Sequence, residues 1–313
     1  MKALITGGDG FIGSHLADFL LDKGFDVYCT VRKNDQVKNL AHILDKIKVF
    51  ECDISKKSKI QDIIEYVNPD HIYHMAAQSF VMPSWKDIEN TFKTNISGTL
   101  FLLDSIRELK TDPKVIIACS SAEYGLTQKN ELPIKENKEF RPSSPYAVSK
   151  VATDMLAYLY WQTYKMKVFR VRFFNITGPR KTGDACSDFA KMVVEAEKGK
   201  KNINVGNLEG IRDITDVRDA ISAVWSIITK GKEGDVYNVC SSIGYKMRDV
   251  LNLFIKKSLL KNPNIIINES KIRPFDDPVF IGDNTKVKSL NWIPKIGIET
   301  TIVDMLDYWR KNI

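Results

Sequence analysis

A chain of 313 residues, 43% hydrophobic and 27% charged, suits one large unit or two interleaved ones around an ample core. No apolar run reaches the ~18–20 residues that a membrane helix needs, and the N-terminus lacks a signal-peptide pattern. The net charge of +7 comes from lysines spread along the whole chain, and the densest runs, 56–59 and 198–201, have acids close by, so a solvated surface is expected rather than a nucleic-acid patch.

The chain opens on a short apolar run, 2–6. Gly7-Gly8-Asp9-Gly10-Phe11-Ile12-Gly13 follows at once, and then a helical pattern over 14–23 with Leu16, Phe19 and Leu20 on one face. Strand, glycine turn and helix in this order bind a dinucleotide pyrophosphate. Gly7 permits the turn, Gly10 lets a phosphate approach the backbone, and Gly13 lets the helix lie close to the strand. The helix N-terminus then offers free N–H groups and a positive dipole end. Thr6, Phe11 and Ile12 flank the glycines and are assigned to the same cofactor contact.

Further strands are expected over 26–31, 47–51, 71–75, 115–119 and 168–174, with helices over 56–67, 87–110 and 146–164. This alternation predicts an α/β fold, a doubly wound parallel sheet with helices on both faces. Val115-Ile116-Ile117-Ala118-Cys119 is apolar throughout, as a strand buried on both faces should be. After about 174 the pattern becomes irregular and turn-rich. The expected organisation is a dinucleotide-binding domain over 1–174 with returns near 213–240. A smaller, loop-rich α/β unit, 175–212 and 241–313, then caps the carboxyl edge of the sheet and binds the substrate.

In such a sheet a carboxylate at the end of the second strand holds the adenosine ribose. Val31 stands there, and Arg32 and Lys33 follow. Two cations and no carboxylate suit a 2′-phosphate, so NADP(H) is expected over NAD(H). Asp53 and Ile54, after the third strand, are placed near the adenine. Ala76 and Ala77, after the fourth, are small enough to let the cofactor pass.

Tyr146 and Lys150 stand at i and i+4, on one face of a helix that Ser143-Ser144-Pro145 begins. A nearby ammonium stabilises a phenolate, so the tyrosine pKa is expected to fall towards neutrality, which suits proton exchange at a carbonyl or alcohol oxygen. Ser120 and Ser121 end the strand 115–119, at the edge where ligands bind, and offer a hydroxyl to the same substrate oxygen.

Taken together, Thr6-Gly7-x-x-Gly10-x-x-Gly13, His74-Met75-Ala76-Ala77, Asn95, Ser120-Ser121, Tyr124-Gly125, Tyr146-x-x-x-Lys150 and Asn175 make the chain resemble the extended short-chain dehydrogenases/reductases that act on nucleotide sugars. Ala76-Ala77-Gln78-Ser79, Val205-Gly206-Asn207-Leu208-Glu209 and Tyr237-Asn238-Val239-Cys240-Ser241 are similar to the branch handling GDP-mannose derivatives, which holds both 4,6-dehydratases and 4-keto-6-deoxymannose reductases. The resemblance implies that Tyr146 is the acid/base, Lys150 its electrostatic partner and ribose ligand, and Ser120 the third catalytic residue. It places Asn175 on the sugar diphosphate, Arg212 and Arg273 as its clamp, Arg180 as a further phosphate contact, and Val205 and Asn207 near the guanine. Ser79, Ser121 and Glu123 complete the substrate contacts.

The dehydratases of that family carry a glutamate two residues before the Tyr-Gly pair, where this chain has Ala122, with Glu123 one residue later. The expectation is therefore NADPH-dependent reduction of a GDP-4-keto-6-deoxy sugar at C4. A 4,6-dehydratase, a 4-epimerase and a non-catalytic nucleotide-sensing protein are the alternatives. The five scattered cysteines and four histidines show no metal-ligand spacing, so no metal is expected, and buried thiols suit a reducing, cytoplasmic setting. The family resemblance also implies a homodimer, paired through the helix of Tyr146–Lys150 and the long helix after Asp87. Ala147, Ala152, Met155 and Leu156 supply apolar surface for it.

Overall fold

Parallel strands need a crossover at every step, and the first half of the chain supplies one each time. The computed structural model describes residues 1–33, 37–200, 202–269 and 278–313. β1 (Lys2–Thr6), α1 (Phe11–Asp22), β2 (Asp26–Val31), β3 (Lys48–Glu51), α2 (Lys57–Val67) and β4 (His71–His74) come first. The short helices α3 (Val81–Lys86) and α4 (Ile88–Phe92) lead to α5 (Gly98–Glu108), β5 (Lys114–Ser120), α6 (Pro145–Tyr164) and β6 (Val168–Phe173). The second half runs β7 (Asn175–Thr177), α7 (Ala185–Glu197), β8 (Asn202–Val205), β9 (Ile211–Asp216), α8 (Val217–Lys230) and β10 (Val236–Val239). It closes with β11 (Gly244–Lys246), α9 (Met247–Lys256), β12 (Asn264–Ile267), β13 (Val279–Phe280), α10 (Thr285–Lys288) and α11 (Ile298–Asn312).

The seven-stranded central sheet has the order β10-β6-β5-β4-β1-β2-β3, with every neighbouring pair parallel. The chain winds outward from β1 to β3 and restarts on the other side of β1 at β4. That reversal opens a crevice beyond the carboxyl ends of β1 and β4. One face of the sheet buries Leu16 and Leu20 of α1 with Ile221 and Val224 of α8. The other buries Ile60 and Ile64 of α2 with Leu102 and Leu103 of α5.

The helix expected over 87–110 is three pieces. The Asp87 carboxylate accepts the Asn90 N–H at 3.0 Å and caps α4. Lys93–Ser97 then widens into a π turn, a device that re-aims a side chain within a helix. Here it turns Asn95 toward Gln78 and Ser149. Gly98 follows, where a Cβ would stand 2.8 Å from Ile54 Cγ2.

The second unit is more regular than its sequence suggests. Its core packs Phe189 and Val193 of α7, Phe254 of α9, and Met305 and Leu306 of α11 against Ile203 and Val205 of β8. β9 joins β7, β11 and β13 in a four-stranded sheet, and β12 pairs with β8. β9 belongs to this smaller sheet, and α8, from Val217, packs on the central one. Val287 and Trp292 also pack back, into the α1–α8 core. All five cysteines are buried free thiols. Among the described residues no helix is long and apolar enough to cross a membrane.

Candidate active site

The glycine turn has the close approaches that a pyrophosphate cradle requires. Gly7 sits at φ +69°, and a Cβ on it would meet the Ala76 backbone at 2.9 Å. A Cβ on Gly13 would lie 2.2 Å from the Gly7 carbonyl oxygen, so α1 can sit this close only with glycine there. No side chain caps the N-terminus of α1, which leaves its first N–H groups free for an anion. These observations fit a dinucleotide at this turn. Phe11 and Ile12 face the core beside it. Arg32 and Lys33 are exposed at the end of β2.

Behind the turn, the hydrogen bonds assign a single proton arrangement. Ala76 N–H donates to Thr6 Oγ1 at 3.2 Å, and with His74 neutral and its proton on Nε2, as the next bonds require, the Thr6 hydroxyl donates to His74 Nδ1 at 2.8 Å. Thr99 Oγ1 donates to the Asn95 carbonyl at 2.7 Å and therefore accepts from His74 Nε2 at 3.0 Å. His74 is thus a neutral Nε2–H tautomer, and burial pushes its pKa down to about 3, with the Lys150 charge acting the same way. Asn95 Nδ2 then donates to Ser149 Oγ at 2.9 Å, and Ser149 Oγ donates to the Tyr146 carbonyl at 2.7 Å. One buried chain therefore joins the glycine turn to the helix of Tyr146 and Lys150. The sequence offered Asn95 and His74 as motif letters only; the link depends on the π turn.

α6 begins where Ser144 accepts the Ala147 N–H at 3.1 Å and Pro145 takes the first position. Tyr146 N–H donates to Ser84 Oγ at 3.1 Å, which ties α3 to the site. Lys150 Nζ donates to the Ala118 carbonyl at 2.6 Å. Burial pushes the Tyr146 phenol pKa up to about 12, and the neighbouring Ser120 side chain opposes that rise. The expected fall towards neutrality is not seen, because the ammonium is spent on the Ala118 carbonyl and desolvation wins.

The structure brings Ser120, Tyr146 and Lys150 together at the carboxyl end of β5, with Ser121 beside them. Ala76 and Ala77 lie half-buried at the end of β4, and Ser79 is exposed just beyond. Asp53 holds Ser55 through its N–H at 3.0 Å and its hydroxyl at 2.8 Å. Ile54 is buried against Gly98, so it has only backbone to offer a ligand. Asn175 Nδ2 donates to the Asp213 carbonyl at 3.0 Å. Arg212 Nη1 donates to the Ile211 carbonyl at 2.9 Å, and its guanidinium lies over Gly210. Asn207 is exposed, and its Oδ1 accepts the Glu209 N–H at 2.9 Å.

Three assignments need correction. Glu123 does not face a substrate: it is 0% exposed, and its Oε1 accepts the Ser120 N–H at 2.7 Å. The Val205 side chain is buried in the second unit's core and cannot contact a base. Arg180 pairs with Asp18 on α1 at 2.8 Å instead of standing free for a phosphate. Arg273 lies outside the described residues. The sequence reading missed Arg172 and Asp154, which lie beneath Ser120. Two cations within the buried strand β6, Arg170 and Arg172, were the available signal, because each needs a buried carboxylate.

A family model described as GDP-mannose 4,6 dehydratase matches residues 4–305. This fold and site are those of a dinucleotide-binding oxidoreductase scaffold, and the chain belongs to the GDP-mannose 4,6-dehydratase family. It is 28% identical to GDP-mannose 4,6-dehydratase of Vibrio cholerae serotype O1, over 97% of this chain and 92% of that one. It is 25% identical to GDP-6-deoxy-D-mannose reductase of Pseudomonas aeruginosa, over 100% and 98%. Among solved structures it resembles RMD from Pseudomonas aeruginosa complexed with NADPH, with a TM-score of 0.87 at 25% identity over 100% and 99% of the two chains. It also resembles the Thermus thermophilus UDP-glucose 4-epimerase complex with NAD, with a TM-score of 0.90 at 27% identity over the full length of both.

Proposed function

We propose that the protein reduces a nucleotide-linked 4-keto-6-deoxy sugar, with GDP as the nucleotide and NADPH as the reductant. The pair Ala122 and Glu123 carries this reading. Dehydration across C5 and C6 needs a base at C5. Ala122 offers a methyl group, and Glu123 is turned inward onto the Ser120 N–H. What remains suits delivery of a proton to a carbonyl oxygen.

Bound NADPH supplies a hydride. The glycine turn and the bare N-terminus of α1 hold its pyrophosphate, Arg32 its 2′-phosphate, Asp53 and Ile54 its adenine side, and Lys150 its ribose. Tyr146 places its proton on the oxygen at C4, and Ser120 hydrogen-bonds the same oxygen. The second unit holds the nucleotide sugar, with Ser79, Ser121, Asn175, Asn207, Arg212 and Arg273 as its contacts; two fork-shaped guanidiniums suit a diphosphate.

The test follows NADPH absorbance with freshly prepared GDP-4-keto-6-deoxymannose, with GDP-mannose in parallel. Oxidation of NADPH with the keto sugar alone is expected. A keto sugar formed from GDP-mannose without net NADPH use would overturn the reductase in favour of a dehydratase, the activity in the Vibrio cholerae relative's name.

A second copy of the chain is proposed to pair through α6. Ala147 is buried in the chain's own core, but Val148, Met155, Tyr158 and Leu159 are exposed along this helix, with Ala152 and Leu156 half-buried beside them. A dimer mass at low concentration in solution is the expected result; a monomer refutes the pairing.

A further inference from the structure

The loop 178–183, which leads from β7 into α7, touches both banks of the crevice between β1 and β4. On the β1 bank it follows α1. His15 Nε2 hydrogen-bonds the Pro179 carbonyl at 2.9 Å, Arg180 pairs with Asp18 at 2.8 Å, and Lys181 Nζ stands 4.9 Å from the centre of the Phe11 ring. On the other bank, in the segment after β4, Gly183 lies so close to Phe80 that a Cβ on it would stand 2.3 Å from the ring.

Both footings are held by side chains. Gln78 Oε1 accepts the Phe80 N–H at 2.5 Å, and Gln78 Nε2 donates to the Phe80 carbonyl at 3.0 Å. Asn95 holds the Gln78 backbone in turn, through its N–H at 2.8 Å and its carbonyl at 3.0 Å. Within the loop, Arg180 and Gly183 bend the chain at φ +70° and +73°. The left-handed conformation is costly for arginine, and the Asp18 pair holds it there.

Arg180 therefore spends its charge on Asp18, and Lys181 does not spend its own. Among the described residues no carboxylate or hydrogen-bond acceptor takes its Nζ, which faces an aromatic ring instead, a contact worth only ~0.5–1 kcal/mol. Phe11 is the first residue of α1, and no side chain caps that helix end. An unpaired ammonium and the free N–H groups of a helix N-terminus thus stand side by side with the same sign, which suits an anion between them.

We propose that the loop 178–183 is the roof of the cofactor site and that Lys181 is the second unit's own contact to the dinucleotide pyrophosphate. The proposal rests on the reading of the glycine turn as the cofactor site and holds whether the sugar is reduced or dehydrated. Arg32 and Lys181 then divide the work: one meets the 2′-phosphate that only NADP(H) carries, the other the pyrophosphate common to both dinucleotides. Because the roof is footed on Phe80, the cofactor leaves after Gly183 and Phe80 part.

The test titrates K181M, K181R and F80A with NADPH, NADH and adenosine 2′-phosphate, which has no pyrophosphate, by calorimetry, and times NADPH release by stopped-flow fluorescence. K181M is expected to weaken NADPH and NADH by the same factor, about tenfold, and to leave adenosine 2′-phosphate unchanged, with K181R restoring the affinity. F80A is expected to release NADPH about tenfold faster. Wild-type affinity of K181M for both dinucleotides, a loss confined to NADPH, or an equal loss for adenosine 2′-phosphate overturns the Lys181 contact. An unchanged release rate in F80A overturns the roof. These signatures in a protein whose wild type reduces no keto sugar would refute the reductase reading and leave this one standing; a wild type that binds neither dinucleotide would refute both.

Discussion

Lys150 Nζ lies 2.6 Å from the Ala118 carbonyl oxygen and donates to the neighbouring strand, not to the Tyr146 phenol one helical turn before it. The ammonium is therefore held in place by backbone. Tyr146, whose pKa burial pushes up to about 12, keeps its proton in the free protein.

Tyr146 acts in its protonated form, so activity is present below its pKa and lost above it. The kcat/KM for reduction should stay level between about pH 7 and 9 and fall at higher pH. Tyr146→Phe should lower turnover by about 10²–10⁴-fold and leave NADPH binding intact, as followed by fluorescence titration. An alkaline limb centred near neutrality in the wild type would place the acid elsewhere.

Arg32 stands exposed where the ribose of a dinucleotide would end. Arg32→Ala should weaken NADPH about tenfold and leave NADH unchanged. Calorimetric titration with each cofactor checks this, and an equal loss for both would dismiss the phosphate contact.

Asp154 is the shared partner of Arg170 and Arg172. Asp154→Asn leaves two buried guanidiniums without their carboxylate, at a cost of about 3–5 kcal/mol. Urea denaturation should record that loss. A change under about 1 kcal/mol would mean that the two guanidiniums do not depend on Asp154.

His74 and His71 are buried neutral, their pKa values pushed down by burial to about 3 and about 4. The unfolded chain binds protons at both below about pH 6.5, and the folded one does not. The stability they lend is complete above that pH and declines as pH falls, each by up to about 1.4 kcal/mol per unit. Urea midpoints between pH 7.5 and 5 should show the decline, and His74→Gln should flatten it.

Much of the central sheet was legible, because strands such as 115–119 are apolar from end to end and glycines mark the first crossover. The break in 87–110 was not, because nothing local forces a π turn at Asn95; its partners Gln78 and Ser149 lie 17 and 54 residues away in the chain. In the second unit the strands run only two to six residues, too short for a period to emerge. The helical spacing of Ile302, Met305 and Leu306 was readable, but the turn-rich composition around it obscured the signal. At the site, Tyr146, Lys150 and Ser120 could be paired from spacing and strand position. Their support could not, since Arg172 and Asp154 meet only after β6 lies beside β5.

α1 has attachments at its flank as well as at its tip. His15 Nε2–H donates to the Pro179 carbonyl at 2.9 Å, and Asp18 grips Arg180, so the first loop of the second unit is bolted to the helix whose N-terminus faces the glycine turn. The same helix thus presents its tip to the glycine turn and its flank to the loop that opens the second unit, one rigid element shared by both halves of the chain.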